Sequence, residues 1–460
     1  MKEVAIIGAG PSGAAAAIEL LERDVRVTLL DEQHRPGGQI YRNVTQMQPA
    51  VAKDLGKDYT YGKVLMSKLL EMEERLDHLT YHTGAVVWSV DRTREICWRS
   101  DGKSYSKIFD AVILATGALE RPMPLPGWTL PGVMTVGAAQ IIMKSGGQAL
   151  RNSILLGSGP LLYLVAHQMS QFGRAPKAIL DTSTFLDELK AAKHLRPDAI
   201  TFGYLFKGIG LLAELKKAGV KRIRGVEDAE IEENQAGLEV SFSVDGQRTS
   251  LSCEHLLLHS GVVPNTQITR ALDAQHDWDG SNLCFNPSTT VSGSLKDVDG
   301  FWVSGDGVSI MGAEAASIRG RIAALDVCQY FEGKTRPKPD ESQDAELGRY
   351  APIRKFLNQA YSPKPWFLTP PPHTIVCRCE EITAAEVHAA LVEGAQGPNQ
   401  AKAFTRCGMG TCQGRYCGLT VSNIFAQAKD TSPSSVGYYR IRTPIKPVSL
   451  GELASHEHQN

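Results

Sequence analysis

The sequence carries almost no net charge, no long apolar run and no sign of a disulfide framework. Its 460 residues include 49 Lys and Arg against 50 Asp and Glu, which leaves a net charge of −1. A chain so balanced has no bulk basic surface for a polyphosphate backbone, so we expect no nucleic-acid partner. No apolar run approaches the roughly 20 residues that cross a bilayer. Residues 4–7 already read as a strand where a signal peptide would lie, and we expect a protein of the cytoplasm without a transmembrane segment.

The nine cysteines are unevenly spread. Four of them stand alone in the sequence and are typical of small buried apolar residues: Cys97, Cys253, Cys284 and Cys328. The other five lie in one short stretch near the C-terminus: Cys377, Cys379, Cys407, Cys412 and Cys417. An odd number of cysteines in a chain without an export signal argues against disulfides and favours a metal or redox site.

A dinucleotide-binding motif opens the chain. The apolar strand Val4–Ile7 runs into Gly8-Ala-Gly10-Pro-Ser-Gly13, a helical stretch follows, and a second strand ends at Asp31. The first glycine permits a tight turn, the second a close approach to a pyrophosphate, and the third close helix packing. Asp31 lies 18 residues after Gly13, near the spacing of an acid that accepts from a ribose hydroxyl. The sequence therefore predicts an ADP-containing dinucleotide here.

Three further segments indicate which dinucleotide is bound. They are Gly37-Gly38-Gln39, the strand and turn of residues 112–117 (VILATG), and residues 301–306 (FWVSGD). With them the chain resembles the flavoprotein family of two dinucleotide domains that includes thioredoxin reductase. In that family the late Gly-Asp pair, here Gly305 and Asp306, holds the ribityl chain of FAD, and the following helix points at the flavin. An alternative role for Asp306 is a helix N-cap.

The resemblance implies fifteen contacts to FAD or to another ADP-containing nucleotide. They are Gly8, Gly10, Pro11, Ser12, Gly13, Asp31, Glu32, Gly38, Gln39, Val86, Ala115, Thr116, Gly117, Gly305 and Asp306.

A second, altered dinucleotide motif follows. Residues 153–162 repeat the strand and glycine turn with Gly157 and Gly159, and the next strand ends at Asp181. Leu162 stands where the third glycine belongs, and its side chain would hold the helix away from the strand. NAD(P) is therefore not expected to bind. Neither dinucleotide region contains the Cys-x-x-Cys of disulfide reductases, so thiol-disulfide reduction is disfavoured.

The cysteine-rich stretch follows residues 332–372, which are rich in charge and proline and read as a linker. Thr383 and Glu386 form a capping box for a helix that ends at Leu391. Gathered thiolates repel one another unless a cation shares their charge, so a metal centre is expected. Zinc and iron-sulfur clusters both accept four thiolates. The short Cys-x-Cys at Cys377 and Cys379 suits zinc poorly.

This stretch resembles the bacterioferritin-associated-ferredoxin-like [2Fe-2S] domain, in the variant with Cys-x-Cys and GMGxCQGxxC. The resemblance implies Cys377, Cys379, Cys412 and Cys417 as ligands. Cys407 is then a spare thiol beside the cluster, or it replaces Cys412 in another register.

Nearly the whole chain, including the tail Tyr439–Val448, resembles the α (A) subunits of two-component amino-acid and opine dehydrogenases. Those relatives include the A subunits of octopine and nopaline oxidases, the α subunits of proline and hydroxyproline dehydrogenases, and the B subunit of hydrogen cyanide synthase. The resemblance implies an oxidoreductase subunit that acts on CH-NH donors. It would pass electrons from the flavin of a partner subunit to a quinone, a dye or another acceptor.

The implied partner resembles D-amino-acid oxidase or the sarcosine oxidase β chain, and the resemblance also allows a small ferredoxin-like subunit. It allows, too, an FMN at the subunit interface and a peripheral position on the inner membrane through the acceptor. No acid-base pair for catalysis emerges from the sequence. One alternative function is a self-sufficient NAD(P)H-dependent FAD/[2Fe-2S] reductase of a small electron carrier. Another is a non-enzymatic role with a zinc-stabilised docking domain.

The expected fold is α/β, with two Rossmann-like domains of the pyridine nucleotide-disulfide reductase type and a small α-rich [2Fe-2S] domain. The expected domains are 1–122 and 263–331 for FAD, 123–262 for the second Rossmann-like domain, 332–372 for the linker, 373–428 for the cluster domain, and 429–460 for the tail.

Overall fold

The structure is a computed structural model that describes residues 1–235, 237–333 and 346–459. Part of the expected linker, residues 334–345, lies outside the described residues. Two five-stranded parallel sheets dominate the fold, and helices cover them. None of the described helices has both the length and the apolar character needed to cross a membrane.

The first sheet has the strand order β20-β7-β1-β2-β3, and every pairing in it is parallel. Its central strands β1 and β7 are apolar and buried because both faces of the sheet are covered, by helices on one face and by smaller strands and the C-terminal part on the other. The strands are β1 (Glu3–Ile7), β2 (Arg26–Asp31), β3 (Leu79–Thr83), β7 (Ala111–Leu114) and β20 (Phe301–Val303). The helices are α1 (Pro11–Leu21), α2 (Pro49–Leu55), α3 (Lys57–Arg75) and α9 (Ala313–Phe331).

The second sheet has the order β12-β11-β10-β16-β9 and is also parallel. Its strands are β9 (Val133–Thr135), β10 (Ser153–Ser158), β11 (Ala178–Asp181), β12 (Lys221–Arg224) and β16 (His255–Ser260). The helices of this part are α4 (Val136–Gly146), α5 (Pro160–Gln171), α6 (Phe185–Ala191) and α7 (Ala199–Lys217), with a 3-10 helix at Ala192–His194.

The fold also contains smaller sheets. An antiparallel meander contains β4 (Val86–Val90), β5 (Glu95–Ser100) and β6 (Lys103–Ile108), and β23 (Glu457–His458) from the chain end pairs with β6. A second meander contains β13 (Glu227–Asn234), β14 (Gly237–Val244) and β15 (Gln247–Cys253). The remaining elements are β8 (Ala118–Glu120) with β17 (Val262–Pro264), β18 (His276–Asp279) with β19 (Cys284–Pro287), α8 (Gln267–Ala271), and a 3-10 helix at Gly305–Gly307.

The C-terminal part of the chain is mainly helical. Its elements are α10 (Ala351–Ala360), α11 (Pro365–Leu368), β21 (Ile375–Cys377), β22 (Ile382–Thr383), α12 (Ala384–Val392), α13 (Pro398–Thr405), α14 (Gly418–Ala428), α15 (Pro433–Val436) and α16 (Leu450–Ala454). The capping box of Thr383 and Glu386 on α12 is confirmed. So is the α/β fold class, with two parallel sheets of Rossmann type and a helical C-terminal part.

The cysteine-rich part shares a hydrophobic core with the first sheet. Buried side chains such as Phe425 and Tyr439 belong to the same cluster as Leu30 and Trp98. Burial of such large side chains against the first unit fixes the cysteines relative to its sheet.

Candidate functional site

A large cleft lies at the carboxyl edge of the first sheet, as expected where ligands bind to open α/β sheets. Its volume is about 390 Å³. Thirteen of the fifteen predicted contacts line it: Gly8, Gly10, Pro11, Ser12, Asp31, Glu32, Gly38, Gln39, Ala115, Thr116, Gly117, Gly305 and Asp306. Among the described lining residues, the neighbours Ala85 and Val87 stand in place of Val86.

The glycine turn forms the floor of this large cleft and is as tight as the motif requires. Gly8 has a φ of +106°, and a Cβ there would lie 2.5 Å from the carbonyl oxygen of Ala115. Gly13 does not line the cleft, but a Cβ on it would lie 1.8 Å from the carbonyl oxygen of Gly8. The third glycine therefore serves the close approach of α1 to β1.

Asp31 is buried at the end of β2. Its carboxylate accepts hydrogen bonds from the backbone N–H of Ala9 (2.5 Å) and of Gln33 (2.6 Å). Burial nevertheless raises the pKa of Asp31 to about 6. Additional donors, such as the hydroxyls of a ribose, would favour the ionised form and lower this pKa.

The tail of the chain also lines the large cleft. Ile445 and Lys446 are lining residues, and Nζ of Lys446 lies 2.8 Å from Oε2 of Glu32. Burial opposes ionisation of Glu32, but the hydrogen bond and charge of Lys446 lower its pKa below the usual value. The charge of Glu32 is therefore compensated from a segment far away in sequence.

Asp306 lines the cleft and also holds the backbone just before α9, but it is not the N-cap of that helix, which is Gly312. Its Oδ1 accepts from the backbone N–H of Met311 (2.8 Å) and of Gly312 (3.1 Å), at the start of α9. A carboxylate at this place also suits the positive end of the helix dipole.

A buried lysine holds one wall of the large cleft. Nζ of Lys144, on α4, donates to the carbonyl oxygens of Gln39 and Ile40 and to Oε1 of Gln140, at 2.9 Å each. Burial lowers the pKa of Lys144 to about 7. A side chain of the second unit thus fixes the loop that follows the first nucleotide motif.

In the second unit the groups of the altered motif bind one another. Asp181 is fully buried and accepts from the backbone N–H of Ser183 (2.9 Å), from Arg222 (2.7 Å) and from the hydroxyl of Tyr163. Leu162, which replaces the third glycine, is fully buried in the core. The acid that would accept from a ribose is therefore already occupied by side chains of this chain.

The five clustered cysteines form two groups in space. The sulfur atoms of Cys377, Cys407 and Cys417 all lie within 4.8 Å of one another and are buried. The side chain of Cys379 interacts with that of Cys412. The structure thus brings Cys407 next to two of the predicted ligands, and it brings the other two predicted ligands next to each other.

The three buried cysteines change one another's pKa values through hydrogen bonds. Hydrogen bonds from Cys407 and Cys417 lower the pKa of Cys377, and the same contacts raise the pKa of Cys407 and of Cys417. A metal binds the thiolate form of cysteine. A metal bound at this group would therefore displace the protons of the neighbouring thiols. Three sulfur donors within 4.8 Å of one another, with a second pair of cysteines in the same segment, fit a thiophilic metal or an iron-sulfur cluster.

Tyr439 from the tail forms the floor of the cysteine group. It is buried, and its hydroxyl donates to the sulfur of Cys407 at 3.2 Å. A Cβ on Gly408 would lie 2.6 Å from its ring, and one on Gly414 would lie 2.4 Å from it. Both glycines have positive φ, of +86° and +74°, so the loop between the cysteines needs them for the turn and for the close approach.

The cysteine group and the large cleft are adjacent. Arg415 lies between Cys412 and Cys417 in sequence and lines the cleft. Gln267 lines the cleft too, and its Nε2 donates to the carbonyl oxygens of Cys412 (3.4 Å) and Gln413 (3.0 Å). The two candidate redox sites therefore share wall residues.

The sequence motifs missed four of these residues: Lys144, Gln267, Arg415 and Lys446. Lys144 and Gln267 act across long sequence separations and belong to no local pattern. Arg415 lies within the cysteine motif and Lys446 within the tail Tyr439–Val448, but neither pattern indicates that these side chains reach the cleft.

Comparisons with known proteins agree with this geometry. Residues 2–320 match the family "Pyridine nucleotide-disulphide oxidoreductase", and residues 372–457 match the "Sarcosine oxidase A3 domain". The A subunit of opine oxidase from Agrobacterium tumefaciens (strain Ach5) is 40% identical over 99% of this chain and 92% of its own length. The HcnB subunit of hydrogen cyanide synthase from Pseudomonas aeruginosa is 30% identical over 96% of each chain.

A solved structure supports the fold. L-proline dehydrogenase from P. horikoshii superposes with a TM-score of 0.70 at 20% identity, over 98% of this chain and 80% of that one.

The first family implies FAD binding, which the large cleft accommodates, and the five cysteines are compatible with an iron-sulfur centre. The relatives of this chain are named as the A subunits of oxidases, which implies that other subunits exist. The chain is an oxidoreductase of the pyridine nucleotide-disulphide oxidoreductase family and belongs, within it, to the family of opine oxidase A subunits.

Proposed function

We propose that this chain is the electron-transferring flavin and iron-sulfur subunit of a multi-subunit dehydrogenase. The complex oxidises an amino acid, an opine or a related secondary amine at its CH-NH bond. Electrons pass from the flavin of a partner subunit through this chain to a quinone or another external acceptor. The names of the relatives, the A subunit of opine oxidase and the alpha subunit of sarcosine oxidase, support this class of substrate.

The observation that carries the proposal is the shared wall between the large cleft and the cysteines. Gln267 lines the cleft and hydrogen-bonds the backbone of the cysteine loop, and Arg415 of that loop lines the cleft. A flavin exchanges two electrons and can release them singly, whereas an iron-sulfur cluster carries one at a time. Neighbouring sites for both are the arrangement that an electron relay needs.

In the large cleft the FAD is held by the thirteen residues, from Gly8 to Asp306, that the resemblance assigns and that line the cleft, and Gly13 brings α1 close to β1. The glycine turn receives the pyrophosphate, the start of α1 supplies free N–H groups, and Asp31 accepts from the ribose. The ADP moiety is the part of the cofactor that these contacts specify most directly. The domain boundaries of the sequence analysis are retained with this assignment.

At the cysteines the proposed group is a [2Fe-2S] cluster with Cys377, Cys379, Cys412 and Cys417 as ligands. When bound, the cluster supplies one-electron chemistry. Cys407 then remains a thiol under the cluster, held by the hydroxyl of Tyr439. Its proximity to Cys377 and Cys417 also supports the alternative in which Cys407 replaces Cys412.

The proposed partner is an FAD subunit that resembles D-amino-acid oxidase or the sarcosine oxidase β chain. The same proposal includes an FMN at the interface and a small ferredoxin-like subunit. NAD(P) is not proposed as a cofactor, because Asp181 is occupied by Tyr163 and Arg222. A self-sufficient NAD(P)H-dependent reductase therefore has no observation in its favour.

Three measurements on anaerobically purified full-length chain test the function. Iron and acid-labile sulfide in equal amounts are expected, and stoichiometric zinc without sulfide would instead indicate a docking domain. Reduction of a dye by octopine, nopaline, L-proline or sarcosine is then followed with and without the co-expressed partner subunit. Activity is expected only with the partner, and full activity of this chain alone would contradict the proposal. Addition of NADH or NADPH should not bleach the flavin.

A further inference from the structure

Arg270 is a partly buried cation between the large cleft and the cysteine loop, and one nitrogen of its guanidinium, Nη2, is buried. It belongs to α8, three residues after Gln267, whose side chain contacts Cys412 and Gln413. Its guanidinium carbon lies 3.8 Å from the ring centre of Tyr438 and 4.8 Å from that of Phe285. Two aromatic faces therefore enclose the charge.

The charge of Arg270 has no carboxylate partner among the described residues. Its Nε donates to the hydroxyl of Thr266 at 3.0 Å, and its buried Nη2 makes no hydrogen bond within the described chain. Burial lowers the pKa of Arg270 to about 10, which leaves it charged near neutral pH. Burial and this charge together lower the pKa of the neighbouring His276 to about 3, so that side chain stays neutral.

A cation with a buried, unpartnered N–H group and no counter-ion is costly, so its surroundings in the protein with its cofactors should supply negative charge. The cysteine loop, which Gln267 and Tyr438 contact, is such a source. The hydroxyl of Tyr438, whose ring stacks on Arg270, donates to the carbonyl oxygen of Gly414 at 3.3 Å. The phenol lies close enough to Cys412 and Cys417 for their charge to raise its pKa, although burial is the larger cause.

We propose that Arg270 sets the reduction potential of the iron-sulfur cluster at these cysteines. A cluster with four thiolate ligands is an anion, and one-electron reduction adds one further negative charge to it. A fixed cation nearby stabilises the reduced form more than the oxidised form, and net charge is one of the factors that set cluster potentials. Arg270 therefore raises the midpoint potential and makes the cluster a better acceptor of electrons from a flavin.

Arg415 contributes in the same direction. It lies within the cysteine loop, and its Nη2 donates to the carbonyl oxygen of Ile445 at 3.4 Å. Its buried Nε has no partner in the described residues. Glu32, whose pKa the charge of Arg415 helps to lower, is itself paired with Lys446. Like Arg270, Arg415 is partly buried.

The inference rests on the proposed cluster and is tested by redox titration of the full-length chain, followed by the electron paramagnetic resonance of the reduced cluster. R270Q is expected to lower the equilibrium constant for reduction about tenfold, about 59 mV for a one-electron couple. R270K keeps the charge and should retain the wild-type potential. R248Q, which removes an exposed arginine of the second meander, is the matched control and should not change it.

The outcomes separate the two proposals. A cluster with an unchanged potential in R270Q would overturn the role of Arg270 and leave the proposed function standing. Absence of iron and sulfide from the wild-type chain would overturn both. If R270Q does not fold, R415Q takes its place: a lowered potential supports the electrostatic role, and an unchanged one contradicts it.

Discussion

The buried carboxyl of Asp31 should make FAD binding depend on pH. Burial raises the pKa of Asp31 from 3.8 to about 6 in the protein without nucleotide. This shift of about two units means that ionising the carboxyl there costs about 3 kcal/mol more than in a solvated peptide. Because the folded-state pKa is raised, this group stabilises the empty protein fully below pH 3.8, and that stability is lost as the pH rises through about 6.

Binding of the ribose reverses this preference. The ribose hydroxyls donate to the ionised carboxylate, so FAD binds the ionised form and the proton leaves. With a pKa of about 6, about a tenth of Asp31 is ionised at pH 5 and about nine-tenths at pH 7. The affinity for FAD should therefore rise about tenfold between pH 5 and pH 7 and then level off.

The assay is the quenching of flavin fluorescence on titration of the apoprotein with FAD from pH 5 to pH 8. FAD is a suitable probe because its pyrophosphate does not titrate in this range. D31N should bind more weakly at pH 7 and lose the pH dependence, and E22Q, at an exposed glutamate paired with Lys68, should behave as wild type. An affinity that is constant from pH 5 to pH 7, or an unchanged slope in D31N, would refute the reasoning.

Three further predictions concern the cysteines and the residues that hold the sites together. C377S and C417S should lose most of the iron by metal analysis, whereas C407S should keep it; loss in C407S with retention in C412S would exchange the roles of those two cysteines. K144M leaves the carbonyl groups of Gln39 and Ile40 without their donor, so chemical denaturation should show that the free energy of unfolding falls by about 2–4 kcal/mol. The control K68M, at an exposed ion pair, should change the free energy of unfolding by less than about 0.5 kcal/mol. Y439F removes one hydrogen bond to Cys407 and should cost about 1 kcal/mol, and Y439A empties a buried site and should cost about 3–5 kcal/mol; equal losses in the two variants would show that the ring does not fill the site.

The local part of the site was predictable from sequence. The turn from Gly8 to Gly13 and the acid at Asp31 belong to one strand-helix-strand unit, so their spacing alone brings them together. The same holds for the capping box at Thr383 and for the strand that ends at Asp181. These features depend on backbone geometry within about thirty residues, which a motif records.

The remaining part depends on packing between distant segments. Lys144 reaches the loop at Gln39 across more than a hundred residues, and Lys446 reaches Glu32 across more than four hundred. In the sequence Cys407 is left over after the four predicted ligands are assigned, yet the fold places its sulfur within 4.8 Å of the sulfurs of Cys377 and Cys417. Such contacts follow from how the tail and the cysteine loop pack on the first sheet, and no local pattern encodes them.

The central claim is that electrons from an amine substrate reach the iron-sulfur site of this chain only through a partner subunit. The most direct measurement is the electron paramagnetic resonance of the anaerobic complex, frozen after mixing with an opine or a secondary amino acid that the complex oxidises. The signal of a reduced cluster should appear in the complex and be absent from this chain alone with the same substrate. A cluster that stays oxidised in the turning-over complex, or becomes reduced in the isolated chain, would contradict the account.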